Sequence, residues 1–296
     1  MKSIFTLPLL PFKTFYYWRK SLNKSLPGKQ FARYGFLLGF KLLFNWKLSL
    51  KLLINPISIV RYFEFDFASS FTGNSDDKDI LDVSSPYLFG FFISDNNNCN
   101  YHYINPDKKD LKNVRSLANK IKFTGNYSTD CLNAKKMYYQ DNQFDRIVTI
   151  SVIEHIDNNG DSEVMSEMWR VLKPGGLLIL SFPVKKDYDE EFISKNIYNL
   201  DQEESEGKFF FQRYYNDEKI EERLLSSLDN FEIVEKKVFG EITSGFYNDY
   251  KKRWEKSGYW ETVKDPYYIS KHFKYFAGIK DLTGLGVMGL ALKKVK

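Results

Sequence analysis

One block of about forty residues, from Phe144 to Val184, leaves this chain few folds to choose from. Arg146 to Val152 is a short, mostly β-branched run, the composition of a parallel strand buried on both faces. Asp161 and Ser162 then offer N-cap oxygens, and Val164, Met168, Val171 and Leu172 recur at helical spacing. Lys173-Pro174-Gly175-Gly176 stops that helix with a terminal cation, a proline and two glycines, and Leu177 to Phe182 read as a second buried strand. Strand, helix, glycine stop and strand make one right-handed crossover unit of an open α/β sheet.

Upstream, Asp79-Ile80-Leu81-Asp82-Val83-Ser84 reads as a strand, followed by Ser85-Pro86 and an apolar helix from Tyr87 to Ile93. Tyr101 to Ile104 is a further strand, Asn105-Pro106-Asp107 caps a helix reaching about Lys120, and Ile121 to Thr124 offers a third strand. In an open parallel sheet, ligands bind outside the carboxyl ends of the strands at the point where strand order reverses. Ser84 to Pro86, Tyr103 to Asn105, Gly125 to Tyr127 and Ser151 to His155 are expected around one such crevice.

FDRIVTISVIEHI together with RVLKPGGLLILSFP resembles the second half of a class I S-adenosylmethionine (SAM)-dependent methyltransferase of the small-molecule group called type 11. Asp145 with its strand, the SVIEHI turn and the KPGG-linked strand each match that pattern, in order and at its spacing. The resemblance covers residues 79 to 239 and 287 to 296. It implies an α/β fold, a doubly wound, mostly parallel, seven-stranded sheet of the Rossmann-like class I type. Phe231 to Phe239 and Val287 to Leu292 would supply the closing antiparallel pair.

The resemblance also implies SAM as cofactor and assigns residues to it. The family's first turn is glycine-rich because the backbone approaches the methionine end of SAM closely; this chain has LDVSSPYLFG, where Asp82 persists, Ser84 or Ser85 offers donors, Pro86 follows, and no glycine comes before Gly90. An acid ordinarily ends the second strand and binds the ribose hydroxyls; here the position falls on Tyr103, or on Asn105 if the register slips by two. Past the third strand the family often shows Gly-Asp toward the adenine; here Gly125-Asn126 stands there, with Tyr127 beside it, and an amide oxygen accepts the same hydrogen bond. Ser151 and Val152 would border the cofactor after the fourth strand. His155 is the candidate general base for an acceptor proton, with a scaffold role for the SVIEHI turn as the competing reading.

With 296 residues the chain holds one complete core plus additions. Composition divides it into a basic, aromatic segment, residues 1–75, and a methyltransferase-like domain, 76–296, carrying an insertion at 240–286 rich in Tyr, Trp and Phe. That insertion suits stacking faces, a lipid tunnel or a lid, and equally the core of a small helical subdomain. No apolar run approaches a membrane span, and the N-terminal apolar stretch is broken by Pro8 and Pro11 and lacks a small-residue cleavage site, so no signal peptide is expected. Two cysteines and three scattered histidines form no ligand spacing, which argues for a reducing cytoplasm and against a metal site.

Residues 1–63 contain eleven Lys or Arg and no acid, whereas the remainder holds 32 bases against 38 acids. Along residues 29–54, Gly39, Leu42, Leu43, Trp46, Leu50, Leu53 and Ile54 share one helical face opposite Lys41, Asn45, Lys47, Ser49 and Lys51. Two readings stay open: a basic amphipathic helix lying in an anionic membrane interface, or a helix packed over the sheet or the substrate cleft. Nucleic acid is disfavoured, because the matching block resembles small-molecule enzymes. The expected activity is O-methylation of a small-molecule or sugar or lipid-linked glycan acceptor, in the cytoplasm or peripheral to a membrane; the alternative is a methyltransferase-like binding or scaffold protein without turnover.

Overall fold

The computed structural model describes residues 9–21, 26–43, 46–196, 204–205 and 207–295. The chain divides into two compact units, one holding the residues up to Phe67 together with Phe239–Gly286, the other Ala68–Val238 together with the residues from Val287 on. The N-terminal segment supplies four helices, α1 (Leu10–Ser21), α2 (Lys29–Lys41), α3 (Trp46–Ile54) and α4 (Arg61–Thr72). Among the described residues no helix is long and apolar enough to cross a membrane.

The single amphipathic helix expected toward Ile54 is in fact two. α2 stops at Lys41 and α3 starts at Trp46, and Gly39 lies against its neighbour so closely that a Cβ there would stand 3.0 Å from Leu53 Cγ and 3.2 Å from Leu52 Cβ. Ser49 Oγ donates to the Gly39 carbonyl at 2.8 Å. Of the apolar face expected along residues 29–54, Gly39, Leu42 and Ile54 are buried in helix packing, whereas Leu43 is exposed. The side chains of Asn45, Trp46 and Lys47 lie outside the described residues.

The second unit carries the crossover sheet. In chain order it contains β1 (Asp79–Val83), α5 (Tyr87–Asn96), β2 (Asn100–Ile104), α6 (Lys108–Ala118), β3 (Asn126–Asp130), β4 (Phe144–Ile150), α7 (Gly160–Val171), β5 (Leu172–Val184), β6 (Asp189–Ile193), β7 (Glu204–Ser205), β8 (Lys208–Tyr214), α8 (Asp217–Ile220) and most of β9 (Phe231–Glu241). Seven strands of the unit, the carboxyl-terminal strand included, form its large sheet in the order β3-β2-β1-β4-β5-terminal-β9, with β3, β2, β1, β4 and β5 mutually parallel. Ile80–Val83, Ile147–Ile150 and Leu178–Val184 are buried throughout, as continuous apolar runs in a doubly covered sheet require.

Local chemistry departs from expectation in three places. α7 passes directly into β5 at Leu172. Phe144 pairs with Leu172 but Arg146 with Leu177, so Lys173–Gly176 loop out within the strand, Gly175 turning at φ 82°. Asp161 does not cap α7. It is fully buried, accepts the Tyr215 hydroxyl at 2.9 Å and faces Arg223 at 2.7 Å and Arg213 at 3.8 Å. The third strand is Asn126–Asp130 rather than Ile121–Thr124, five residues further along than the apolar run suggested.

The insertion at 240–286 belongs with the N-terminal helices. It forms α9 (Phe246–Ser257), α10 (Tyr259–Thr262), α11 (Asp265–His272) and β10 (Phe273–Phe276), after which β11 (Gly286–Lys294) re-enters the sheet; β10 lies beside β9 where that strand has passed into this unit, so the large sheet has an eighth strand beyond the seven expected. Leu10, Ile54 and Val263 form a common buried cluster, with Tyr17, Leu50 and Trp260 packed against it. Asp265, fully buried, accepts the Tyr250 hydroxyl at 2.9 Å and the Asn55 amide at 3.2 Å. Much of the insertion's aromatic content is therefore core: Phe246 stacks on His272 at 4.2 Å, and Phe239 on Phe273 at 5.8 Å.

Candidate functional site

Strand order reverses between β1 and β4, which makes the carboxyl ends of those two strands the place to look for a ligand. Both ends turn the same unusual way. Ser84, directly after β1, has φ 57°, and Ser151, directly after β4, has φ 48°. A non-glycine residue held left-handed costs on the order of 1–3 kcal/mol, and such residues gather at functional sites. Where the family pattern is glycine-rich after the first strand, this chain holds a serine in the left-handed conformation.

Hydrogen bonds hold both turns. Ser84 donates its N–H and its hydroxyl to the Ile104 carbonyl, each at 2.9 Å, and Ser151 N–H reaches the Ser181 carbonyl at 2.9 Å. The Ser85 hydroxyl accepts the Ile150 N–H at 3.1 Å, tying the β1 turn to the last residue of β4. Asp82 accepts the Ser85 N–H at 2.9 Å and the Tyr101 hydroxyl at 2.6 Å. Burial pushes the Asp82 carboxyl up to about 6, against the opposing pull of those two donors. Asp82 is fully buried and its role is to set the turn from below; Pro86 leads from the turn into α5.

At the end of β2 the two alternatives separate. Tyr103 lies inside the strand, opposite Asp82 and Thr129, and is buried. Asn105 is the first residue beyond the strand, and its side chain is engaged at both ends: Nδ2 donates to Tyr103 Oη at 3.1 Å and to Asp110 Oδ2 at 2.9 Å, while Oδ1 accepts the Asp107 N–H at 2.9 Å. A carboxylate is therefore present after all, on Asp110 in the first turn of α6, exposed and held by the amide that replaces the usual acid. Sequence reasoning missed it because it searched the strand end alone.

At β3 the shift of the strand moves the site. Asn126 pairs with Asn100 and bonds to it at 2.9 Å, and Asn100 in turn donates to Asp79 at 2.9 Å, so Asn126 belongs to the amino ends of the strands, opposite the crevice. Gly125 is explained by crowding: a Cβ would sit 2.5 Å from the Cys99 carbonyl and 2.7 Å from that of Asn97. Tyr127 starts near the same end, its ring parallel to Tyr101 at 5.6 Å, and its buried hydroxyl has no hydrogen-bond partner among the described residues. Burial foremost, then the charges of Asp82 and of Tyr103 and Asp110, raise that phenol well above its ordinary value. The acid at the carboxyl end of β3 is Asp130, whose carbonyl accepts the Asn105 N–H at 3.1 Å. The signal for it, Ser128-Thr129-Asp130, is a polar edge strand with no apolar run.

After β4, Ser151 and Val152 are half-buried and lead into a short turn, Ile153–His155. His155 Nδ1 lies 2.7 Å from the Phe211 carbonyl of β8, which requires the proton on that nitrogen and leaves Nε2 with its lone pair. Nε2 is 3.7 Å from the buried Glu154 carboxylate. Arg213 locks the small sheet β6-β8-β7 over this turn, its guanidinium donating to the Ile156 carbonyl and, at 2.6 Å, to the Asn158 carbonyl. The imidazole is thereby tied to β8 through Nδ1. Among the described residues no group of His, Cys, Asp or Glu is arranged to hold a metal.

These residues fit the cofactor that the resemblance implies. SAM presents a sulfonium, two ribose hydroxyls and an adenine amino group. The Asp110 carboxylate in the first turn of α6, Asp130 at the carboxyl end of β3, and a β1 turn in the left-handed conformation provide acceptors and close backbone approach for such a group.

Comparison with known proteins agrees with this geometry. Residues 87–180 match the family model described as a methyltransferase domain. Among solved structures, coclaurine N-methyltransferase bound to N-methylheliamine and S-adenosylhomocysteine (SAH) is similar at TM-score 0.52 and 12% identity, over 78% of this chain and 71% of that one. Geranyl diphosphate C-methyltransferase from Streptomyces coelicolor A3(2) is similar at TM-score 0.50 and 10% identity, over 79% and 77%. The cyclase SpnF is similar at TM-score 0.50 and 17% identity, over 78% and 80%. At such identities the likeness is one of fold, and that fold hosts more than one chemistry. No curated protein matches the chain.

The buried Asp82 gives the site a signature in pH. Its carboxyl is raised from 3.8 to about 6, so the folded state holds a proton that the unfolded state has released. Stability from this group is therefore greatest below pH 4 and falls as pH rises toward 6, by about 3 kcal/mol at 1.36 kcal/mol per unit. Asp82→Asn removes that slope. Urea unfolding between pH 4 and 7 should show the variant losing less stability with rising pH than the parent; equal slopes would refute the assignment.

Proposed function

The chain carries a class I, SAM-dependent methyltransferase domain, and on that premise we propose that it transfers the methyl group to an oxygen of a small-molecule or sugar acceptor. The observation that carries this reading is the pair of left-handed serines at the switch point, with Asp110 in the first turn of α6 and Asp130 at the end of β3. Bound there, SAM supplies an electrophilic methyl group on a sulfonium. In this reading Asp110 and Asn105 meet the ribose hydroxyls, Asp130 the adenine amino group, and the Ser84–Pro86 backbone the methionine end.

The acceptor side is the small sheet β6-β8-β7. Phe192 and Phe210 meet edge to face at 5.8 Å, with Phe192 about half exposed. Lys185 stands 3.7 Å over the Tyr214 ring, and Gln212 and Tyr214 hydroxyl both reach Glu191, at 2.7 and 2.6 Å. Aromatic faces beside amides and carboxylates suit a hydroxylated ligand such as a sugar. His155 Nε2 takes the acceptor's hydroxyl proton as the oxygen attacks, and the Glu154 carboxylate beside it stabilises the imidazolium that results. The small sheet and the Ser84–Pro86 turn would hold acceptor and cofactor side by side, which converts the transfer into an effectively unimolecular step.

Titration calorimetry with SAM and SAH tests the cofactor half. Binding is expected, and Asp110→Asn should weaken SAH by about ten- to a hundred-fold, the range for a hydrogen bond to a charged group; no heat at millimolar SAM or SAH would overturn the reading. For the base, His155→Gln should lower methyl transfer by about 10²- to 10⁴-fold while leaving SAH affinity in place. Unchanged turnover in that variant would reduce His155 to scaffold.

A further inference from the structure

The N-terminal unit has an apolar surface that neither its own core nor the methyl-transfer reading uses. Of the sixteen large apolar side chains exposed among the described residues, seven lie between Leu9 and Leu43: Leu9, Phe12, Phe15, Tyr16, Leu37, Phe40 and Leu43. They are not scattered. On α1, positions 12, 15, 16 and 19 form one helical stripe, in which Phe12 is 74%, Phe15 60% and Tyr16 56% exposed and Arg19 is exposed beside them. The opposite stripe of the same helix, Leu10, Thr14 and Ser21, is buried. The aromatic stripe thus lies on the side of α1 that packing within the unit leaves open, and contiguous exposed apolar patches mark interaction surfaces.

α2 repeats the pattern. Phe31, Ala32, Gly35, Leu38 and Gly39 face inward, while Lys29, Arg33, Leu37, Phe40 and Lys41 are exposed. Neither helix contains an acidic residue. The cations at the edge of the α1 stripe lie against aromatic rings, Lys13 at 4.3 Å from Trp260 and Lys20 at 5.6 Å from Tyr16. The unit to which both helices belong holds nineteen Lys and Arg against eight Asp and Glu, whereas the sheet unit holds 24 against 30.

We infer that the outer faces of α1 and α2 dock this unit on an anionic membrane surface, the Phe, Tyr and Leu side chains entering the headgroup boundary and the Lys and Arg side chains pairing with acidic lipid. Charge complementarity selects this occupant. An interface of bulky aromatics with interleaved cations and no acid suits anionic lipid, while a second copy of the same basic unit would be repelled. Except for Leu43, the surface differs from the Gly39–Ile54 face, of which Gly39, Leu42 and Ile54 are buried within the unit.

The test is co-sedimentation of the full chain with vesicles of phosphatidylcholine alone and with 30% phosphatidylserine (on the order used for anionic leaflets). Binding to the serine-containing vesicles is expected, weaker at high salt, and reduced at least about ten-fold by Phe12→Ser/Phe15→Ser/Tyr16→Ser, whose positions are exposed enough to leave the thermal melt unchanged. Leu37→Ser/Phe40→Ser is an independent second variant with the same expected loss. Three results would overturn the proposal: no binding to either vesicle, binding that both variants retain, or a dimer in sedimentation equilibrium that the triple variant dissolves. Salt-sensitive binding to a short single-stranded RNA in place of vesicles would assign the surface to nucleic acid instead. None of these outcomes touches SAH affinity, so this proposal and the methyl-transfer reading fail separately.

Discussion

The sheet unit depends on how the turn after β1 is fastened to the end of β4. Two parallel strands that lie side by side and diverge to opposite flanks leave a gap at their carboxyl ends, bordered here by the turns at Ser84 and Ser151. Ser85 Oγ bridges that gap to Ile150 N–H, and Thr149 Oγ1 crosses back to the Val83 carbonyl at 3.2 Å. Beneath them Asp82 collects Ser85 N–H and the Tyr101 hydroxyl. Tyr101 reaches Asp82 because Gly90 of α5 has no side chain; a Cβ there would stand 2.7 Å from the ring. The glycine that the turn lacks is found one helical turn later, where it admits a tyrosine that positions the acid that sets the turn.

The other unit is held by a different constraint. Two segments with about 170 residues of chain between them, each too small to close a core alone, share one. Leu10, Ile54 and Val263 join them through apolar contact, and Asp265 joins them through Asn55 and Tyr250. Burial holds the Asp265 carboxyl well above the usual range, against its hydrogen bonds from Tyr250 and Asn55, so that a neutral acid is favoured at the centre of the unit. The aromatic density of residues 240–286 and the apolar character of residues 10–54 answer one another.

Much of the sheet was legible in the sequence because buried parallel strands are written as β-branched runs and because the β4-α7-β5 crossover carries its own punctuation. β3 was misplaced for a physical reason. It is an edge strand of polar residues, Asn126 to Asp130, while Ile121 to Phe123 before it carries the apolar signal without pairing. With that shift Asn126 and Tyr127 lie toward the amino end of β3, and Asp130 stands at its carboxyl end. Likewise the split of the expected helix before Ile54 and the burial of its apolar face follow from long-range packing at Gly39, which helical periodicity cannot report. Asp110 was hidden because its role passes through the Asn105 amide, a relay visible only in three dimensions.

The central claim is that the crevice at the carboxyl ends of β1, β2, β3 and β4 is a SAM site built on serines in place of glycines. Backbone amide chemical-shift mapping of the protein titrated with SAH tests it most directly. The account predicts shifts concentrated at Ser84, Ser85 and Tyr87, at Asn105 to Asp110, at Asp130 to Asn133 and at Ser151 to Ile153. Shifts centred on Asn100 and Asn126 at the opposite end of the sheet, or none at saturating ligand, would contradict it.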